Sequence, residues 1–245
     1  MKTGHRWIIL QSAKKCQKTL YNFSEVKYNA FIDKPDKREL RKGVLNMKKG
    51  LALVLALLTV LTLGLTGCGN KDTEKTDAEY VKEKGKLITC DPNLRKPLWQ
   101  DLAVAKKQLL WAISQADVVK ISDEEVDFLF GMDAKKGAQH ILKTCGVKLV
   151  FVTCGADGCY AANENTAVFV PALSDIKVID TTGAGDIFGG SAVFKLLQSD
   201  TVPAALTAEQ LRDIVTFACT AAGLSTTKSG GISAVPTYEE VCKRL

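Results

Sequence analysis

The sequence predicts an α/β fold with a mostly parallel sheet between residues 77 and 245. Candidate strands alternate there with longer candidate helices, which is the pattern that parallel strands joined by crossover helices produce. The segment Leu149–Thr153 is apolar at its first four positions and rich in β-branched residues, as a strand buried on both faces would be. Thr207-Ala208-Glu209-Gln210 forms a capping box at the start of a long apolar helix.

The individual elements follow from hydrophobic periodicity and from start and stop residues. Gly131 and Gly146 end two helices, and Asn163-Glu164-Asn165 between two apolar runs indicates a hairpin. The predicted strands are 86–90, 118–121, 149–153, 159–162 and 167–170, and the predicted helices are 99–115, 122–130, 135–145, 185–197 and 207–224.

The N-terminal part of the chain differs in charge from the rest. Residues 1–49 carry thirteen Lys or Arg and four Asp or Glu, a balance of +9, whereas residues 50–245 carry twenty against twenty-three. The basic residues follow no helical period, so we predict no nucleic-acid partner. We assign residues 1–46 to a basic, disordered arm.

Residues 47–76 have the organisation of a secretory signal followed by a tether. Lys48 and Lys49 precede the apolar run Leu51–Leu65, and Leu65-Thr66-Gly67-Cys68 leads into a polar stretch. This order resembles a bacterial lipoprotein signal, in which Cys68 would be lipidated, and it predicts membrane association through residues 47–68. A short transmembrane helix and a buried core helix are the alternatives.

The eight cysteines do not indicate a metal site. No two of them have C-x-x-C spacing, and His5 and His140 are far apart in the sequence, so the ligand spacing typical of zinc sites is absent. Five of the cysteines lie in or beside apolar runs, which is typical of small buried side chains in a reducing compartment.

The candidate catalytic site is the run from Asp180 to Asp186, Asp-Thr-Thr-Gly-Ala-Gly-Asp. A turn of small residues precedes a predicted helix, so backbone N–H groups converge near the positive end of the helix dipole. Such a turn suits the charge on a phosphoryl group in transfer. Asp186 at its mouth can accept the proton of an attacking hydroxyl. The alternative is a glycine-rich turn in which Asp186 is the helix N-cap.

With its flanks, this run closely resembles the C-terminal signature of the ribokinase-like (PfkB family) sugar kinases, and the chain is most similar to the fructokinases among them. The resemblance implies a three-layer ribokinase-like fold, ATP as the phosphoryl donor, Mg²⁺ as its metal and a small sugar as the acceptor. It implies that Asp186 is the catalytic base and that Gly183, Ala184 and Gly185 form the anion hole.

Other segments carry the resemblance in the family's order. Asp91-Pro92-Asn93-Leu94-Arg95 implies that Asn93 and Arg95 lie near the phosphates and the acceptor. The run from Thr153 to Gly158 and the loop near residue 230 imply further nucleotide contacts. These contacts are assigned to Thr153, Gly155, Gly158, Lys228 and Gly230. A Pro-Asn turn and a tight turn into the hairpin are the corresponding alternatives.

The resemblance also implies two metal positions. Ser122-Asp123-Glu124-Glu125 places Glu125 where the family organises Mg²⁺ through water, although the same four residues form a capping box. Asp180, the backbone of Thr182 and the Gly230 loop match the family's monovalent-cation site, which makes K⁺ a further candidate.

We find no counterpart of the family's sugar-binding half in residues 1–79, so we expect an incomplete fold in which residues 77–245 are the C-terminal half. The predicted function is an ATP-dependent carbohydrate kinase, weakly active or inactive alone because the acceptor must be held in line with the donor. The alternatives are a non-catalytic nucleotide-binding remnant and a membrane-anchored lipoprotein from a chimeric reading frame. The kinase domain predicts a cytoplasmic location, and a functional signal at residues 47–68 predicts membrane anchoring.

Overall fold

A computed structural model describes residues 7–11 and 77–245 of the chain. Six strands form one sheet in their sequence order. The first four strands are parallel, and the last two are antiparallel. The strands are β1 (Trp7–Gln11), β2 (Leu87–Asp91), β3 (Val118–Ser122), β4 (Leu149–Thr153), β5 (Cys159–Asn163) and β6 (Ala167–Val170).

Seven α-helices accompany the sheet in the described residues. Short 3₁₀ turns lie at Lys96–Leu98, Gly155–Asp157 and Pro203–Ala205. The α-helices are α1 (Asp77–Glu83), α2 (Leu102–Gln115), α3 (Asp123–Phe130), α4 (Ala134–Thr144), α5 (Ala184–Gln198), α6 (Ala208–Ser225) and α7 (Tyr238–Cys242).

The helices cover the two faces of the sheet as separate layers. One apolar core joins α1, α2, α3 and α4 to strand residues such as Val119 and Val150. The other core joins α5 and α6 to the opposite side of the same strands, through residues such as Leu149 and Phe151. Neighbouring residues of β4 thus enter different cores, which explains why this strand is apolar along its length.

Side-chain caps set the ends of several helices. Ser122 accepts the Glu125 N–H and Glu125 accepts the Ser122 N–H, so both halves of the predicted capping box are present. Thr207 and Gln210 form the same pair at the start of α6. The predicted strands and helices are confirmed, with boundaries that differ by at most three residues. The largest difference is at α2, because the chain first makes a 3₁₀ turn and Asp101 then caps the helix through the Ala103 N–H.

The structure departs from the sequence prediction at two places. Residues 1–46 were predicted to be irregular, but Trp7–Gln11 forms a parallel strand paired with β2 in the register Trp7↔Leu87. This pairing joins segments about eighty residues apart, so local pattern gives no indication of it. Helix α1 was also not predicted, and its Val81 is buried in the core beneath it.

The predicted signal and tether at residues 47–76 lie outside the described residues. Within residues 7–11 and 77–245, no helix has the length and apolar character required to cross a membrane. The six cysteines of residues 77–245 are unpaired, and three of them, Cys90, Cys159 and Cys219, are buried.

Candidate active site

The turn before α5 has the conformation that an anion-binding site needs. Gly183 is the N-cap in the left-handed region, with φ of +82°, and its carbonyl accepts the Ile187 N–H at 2.9 Å. Ala184 N–H donates to the Thr181 carbonyl at 3.2 Å, which closes the turn. Because the N-cap residue is a glycine, no side chain caps the first-turn N–H groups, and a ligand can accept from them.

Gly183 is also constrained by its neighbours. A Cβ at this position would lie 3.3 Å from the Gly231 Cα, so the turn packs directly on the loop around Gly230 and Gly231. Any other residue would combine an unfavourable left-handed φ with a tight backbone contact.

Asp180 connects the turn before α5 to the loop around Gly230 through two hydrogen bonds. One carboxylate oxygen accepts the Thr182 N–H and the other accepts the Gly230 N–H, each at 2.9 Å. The hydrogen bond from Thr182 and that from Gly230 lower the pKa of Asp180 to about 2. The predicted site residues Asp180, Thr182, Gly183 and Gly230 are therefore brought together by the fold.

Asp186 lies in the first turn of α5 and is exposed. The N-cap is Gly183, so the alternative assignment of Asp186 as the cap residue is wrong. Asp186 lines a small cavity of about 80 Å³ together with Asp91, Lys120, Gly189 and residues of the sheet beneath. A carboxylate at the mouth of an anion-binding turn and beside a cavity is well placed to accept a proton from a bound hydroxyl.

The floor of this cavity holds a buried ion pair that the sequence analysis did not assign to the site. The Lys120 Nζ lies 3.3 and 3.2 Å from the two carboxylate oxygens of Asp91. Burial raises the pKa of Asp91, Lys120 opposes that effect, and the nearby charges of Glu125 and Asp186 reinforce it. A lysine inside the apolar strand Val-Val-Lys-Ile is the sequence feature that could have pointed to this pair.

Glu125 is buried and accepts three hydrogen bonds from protein donors. One oxygen accepts the N–H and the hydroxyl of Ser122, at 2.9 and 3.1 Å, and the other accepts the Leu94 N–H. The second contact holds the loop that follows β2, where Asn93 has a left-handed φ of +46°. This geometry supports the capping-box interpretation, and a Mg²⁺-organising role for Glu125 stays a prediction.

The loop after β4 lies at the same edge of the sheet as Asp91 and Ser122, because all three follow parallel strands. The Thr153 hydroxyl donates to the Ile121 carbonyl at 3.4 Å. Gly155 is exposed, with φ of +54° and open space around it, whereas a Cβ on Gly158 would lie 2.1 Å from the Val170 carbonyl oxygen. Gly155 is therefore available to a ligand, and Gly158 serves the hairpin.

The remaining predicted contacts are at the surface. Arg95 is exposed. The Lys228 Nζ pairs with Glu240 at 3.3 Å. Within residues 77–245, no group of three or more His, Cys, Asp or Glu side chains is arranged to hold a metal ion. A cation at Glu125 or Asp180 would therefore need oxygens from the backbone, water or a nucleotide.

A three-layer α/β arrangement with an uncapped helix turn and an acidic residue at the carboxyl edge of the sheet suits phosphoryl transfer. Residues 55–238 match the family model described as pfkB family carbohydrate kinase. The chain belongs to the pfkB family of carbohydrate kinases. The match begins before residue 77, where the sequence analysis placed the start of the kinase domain.

Similar proteins include several fructokinases. The chain is 39% identical over 171 residues to Fructokinase-2 of Solanum lycopersicum, covering 68% of this chain and 50% of that one. A crystal structure of a fructokinase double mutant from Vibrio cholerae O395, with fructose, ADP and potassium bound, is similar with a TM-score of 0.61 and 32% identity, over 68% of this chain and 52% of that one. A fructokinase from Xylella fastidiosa with bound ATP has a TM-score of 0.60 and 28% identity, over 68% and 53%.

These similarities confirm the predicted ribokinase-like fold. The chain spans about half the length of the curated relatives that it matches.

Proposed function

We propose that residues 77–245 provide the nucleotide site and the catalytic base of an ATP-dependent sugar kinase of the fructokinase type. The observation that carries this proposal is the position of Asp186. Asp186 lies in the first turn of α5, where no side chain caps the N–H groups after the left-handed Gly183, and it lines the cavity at that turn. The fructokinase relatives and the ATP-bound Xylella fastidiosa structure support the same assignment.

The proposed reaction needs one proton transfer and one phosphoryl transfer. Asp186 accepts the proton of a sugar hydroxyl, the freed oxygen attacks the terminal phosphorus of ATP, and the bond to the ADP oxygen breaks. The N–H groups of Gly183 and Gly185 stabilise the charge on the transferring phosphoryl oxygens, while the Ala184 N–H is used to close the turn. A positioned carboxylate base contributes about 10²–10⁴ in rate.

Two cations fit parts of this site. Mg²⁺ would neutralise the phosphates of ATP, with Glu125 acting through water because its own oxygens already accept protein N–H groups. K⁺ would lie near Asp180 and the backbone of Thr182, since the two hydrogen bonds leave further lone pairs on the Asp180 oxygens. The potassium ion in the Vibrio cholerae fructokinase supports this candidate.

Fructose is the proposed acceptor because the fructokinases are among the similar proteins and one of them contains bound fructose. The residues proposed for the nucleotide site and the base fall within the range 55–238 that matches the family model, and MgATP binding is measurable separately from phosphoryl transfer.

The test combines MgATP titration with a radiometric phosphoryl-transfer assay on fructose. We expect wild-type chain and Asp186→Asn to bind MgATP with similar affinity. Transfer to fructose should fall by about 10²–10⁴ in Asp186→Asn. Asp213→Asn, an exposed aspartate on α6, is the matched control and should keep the wild-type rate. Equal rates in wild type and Asp186→Asn would refute the role of Asp186.

The alternatives give different results in the same experiments. A nucleotide-binding remnant would bind MgATP and transfer no phosphate to any sugar. A lipid-anchored protein would incorporate labelled palmitate in a bacterial host and lose the label in Cys68→Ser. Use of ATP supports a cytoplasmic location, and labelling at Cys68 would instead support membrane anchoring through residues 47–68.

A further inference from the structure

The ion pair of Asp91 and Lys120 is set by the register of the sheet. Thr89 pairs with Val118 and Cys90 with Val119, so the next residues, Asp91 and Lys120, stand side by side. Their side chains are 17% and 14% exposed. Charges that are largely removed from water are stabilised by a close partner, and each of the two residues is that partner for the other.

The Lys120 side chain lies beside the first turn of α5. The Lys120 Nζ lies 3.1 Å from the place of a Cβ on Gly185, and its Cδ lies 3.9 Å from that of a Cβ on Gly189. The ammonium thus contacts the first turn of α5, which is the positive end of the helix dipole. A cation is repelled there, and the Asp91 carboxylate offsets the repulsion.

An anion bound to the same turn would make the position of the Lys120 ammonium favourable, because the ammonium would then attract the anion. The N–H groups that follow Gly183 and the Lys120 ammonium would then act on one negative charge from two sides. Gly185 and Gly189 have no side chain to separate the ammonium from the turn. The lysine at the floor and Asp186 at the wall line the same cavity.

We propose that Asp91 is a positioning residue that holds the Lys120 ammonium against the Gly183–Asp186 turn, where Lys120 strengthens the binding of the ATP phosphates. The proposal rests on the proposed nucleotide site. It assigns a role to Asp91 that acts through Lys120 and not through direct contact with the nucleotide. Without Asp91, the ammonium would turn away from the positive helix end and the phosphates would lose its charge.

The test measures the affinities of the full chain for MgATP and for adenosine by calorimetry. We expect Lys120→Met to weaken MgATP binding about tenfold, the size of one lost charged hydrogen bond. Adenosine affinity should not change, because adenosine has no phosphate. Lys120→Arg keeps the charge and should retain most of the MgATP affinity. Thermal unfolding of each variant shows whether it folds, and Lys120→Gln, which also removes the charge, replaces Lys120→Met if that variant does not fold.

The effect of Asp91→Asn on MgATP affinity should depend on whether residue 120 is lysine or methionine. In the wild-type background it should weaken MgATP binding at least threefold, because Lys120 loses the group that holds it. In the Lys120→Met background it should not weaken binding, since the change then removes only a negative charge that repels phosphate. Equal weakening in both backgrounds would overturn the proposal.

The pair of Lys148 and Asp117 is the matched control. The Lys148 Nζ lies 2.9 Å from the buried Asp117 carboxylate, and Lys148 precedes β4, so this pair is at the opposite edge of the sheet. Lys148→Met should lower stability and leave MgATP affinity unchanged. If Lys120→Met behaves like Lys148→Met, the proposal is wrong while the nucleotide site stands. If wild-type chain does not bind MgATP, the proposed function itself fails.

Discussion

Replacement of Gly183 by alanine tests the turn on which the site depends. An L-residue in the left-handed region is less stable by about 1–2 kcal/mol, and Gly183 has φ of +82°. The new Cβ would lie 3.3 Å from the Gly231 Cα, so the turn must also shift by a few tenths of an ångström. We therefore expect the free energy of unfolding to fall by about 2 kcal/mol, measured by urea denaturation.

The nucleotide affinity separates a local effect on the site from a general loss of stability. Gly146 has φ of +72°, but a Cβ added there would meet no atom within 4 Å, and it lies in the loop before β4 at the opposite edge. Gly146→Ala should lose about 1–2 kcal/mol from backbone strain alone and bind MgATP as wild type does. Gly183→Ala should bind MgATP at least tenfold more weakly, because its N–H groups no longer converge. Unchanged MgATP affinity in Gly183→Ala would refute the reasoning.

Three further predictions concern the residues that hold the site together. The folded pKa of Asp180 is about 2, below its ordinary value of 3.8, so its stabilising contribution is present above about pH 4 and is lost as the pH falls to 2. Melting temperatures measured from pH 5 to pH 2 should therefore fall more steeply for wild type than for Asp180→Asn. Parallel curves for the two proteins would contradict this. Gly158→Ala should destabilise the chain by about 3 kcal/mol in urea denaturation, since its Cβ would lie 2.1 Å from the Val170 carbonyl oxygen. Gly155→Ala should lose less free energy of unfolding, because a Cβ there meets no atom within 4 Å. Glu125→Gln should cost about 1–2 kcal/mol in the same assay, because it disturbs the capping box and the contact with Leu94; a change below the error of the measurement would show that neither contact stabilises the fold.

Local pattern was sufficient for most of the secondary structure. Leu149–Thr153 was predicted with the same ends as observed, because a strand buried on both faces must be apolar throughout. The helix starts at Ser122 and Thr207 were readable because a capping box is a local arrangement of four residues. Helix α1 is short and strand β1 pairs with a segment far along the chain, so neither has a comparable local pattern.

The site was predictable where its residues are adjacent in the sequence. The run from Asp180 to Asp186 contains the turn, the left-handed glycine and the carboxylate together. The contact of Asp180 with Gly230 spans fifty residues, and it was expected only from the family resemblance. The pairing of Asp91 with Lys120 depends on the register of β2 and β3. Tertiary packing sets that register, so the sequence alone does not show the ion pair.

The central claim is that the peptide N–H groups around Gly183 and Gly185 bind the phosphates of ATP. Nuclear magnetic resonance of the chain labelled with ¹⁵N-glycine, titrated with MgATP, measures this directly. The account predicts saturable shifts of the Gly183 and Gly185 amide signals, with Gly131 and Gly146 unchanged at the ends of their helices. MgATP binding that leaves the Gly183 and Gly185 signals in place would contradict it.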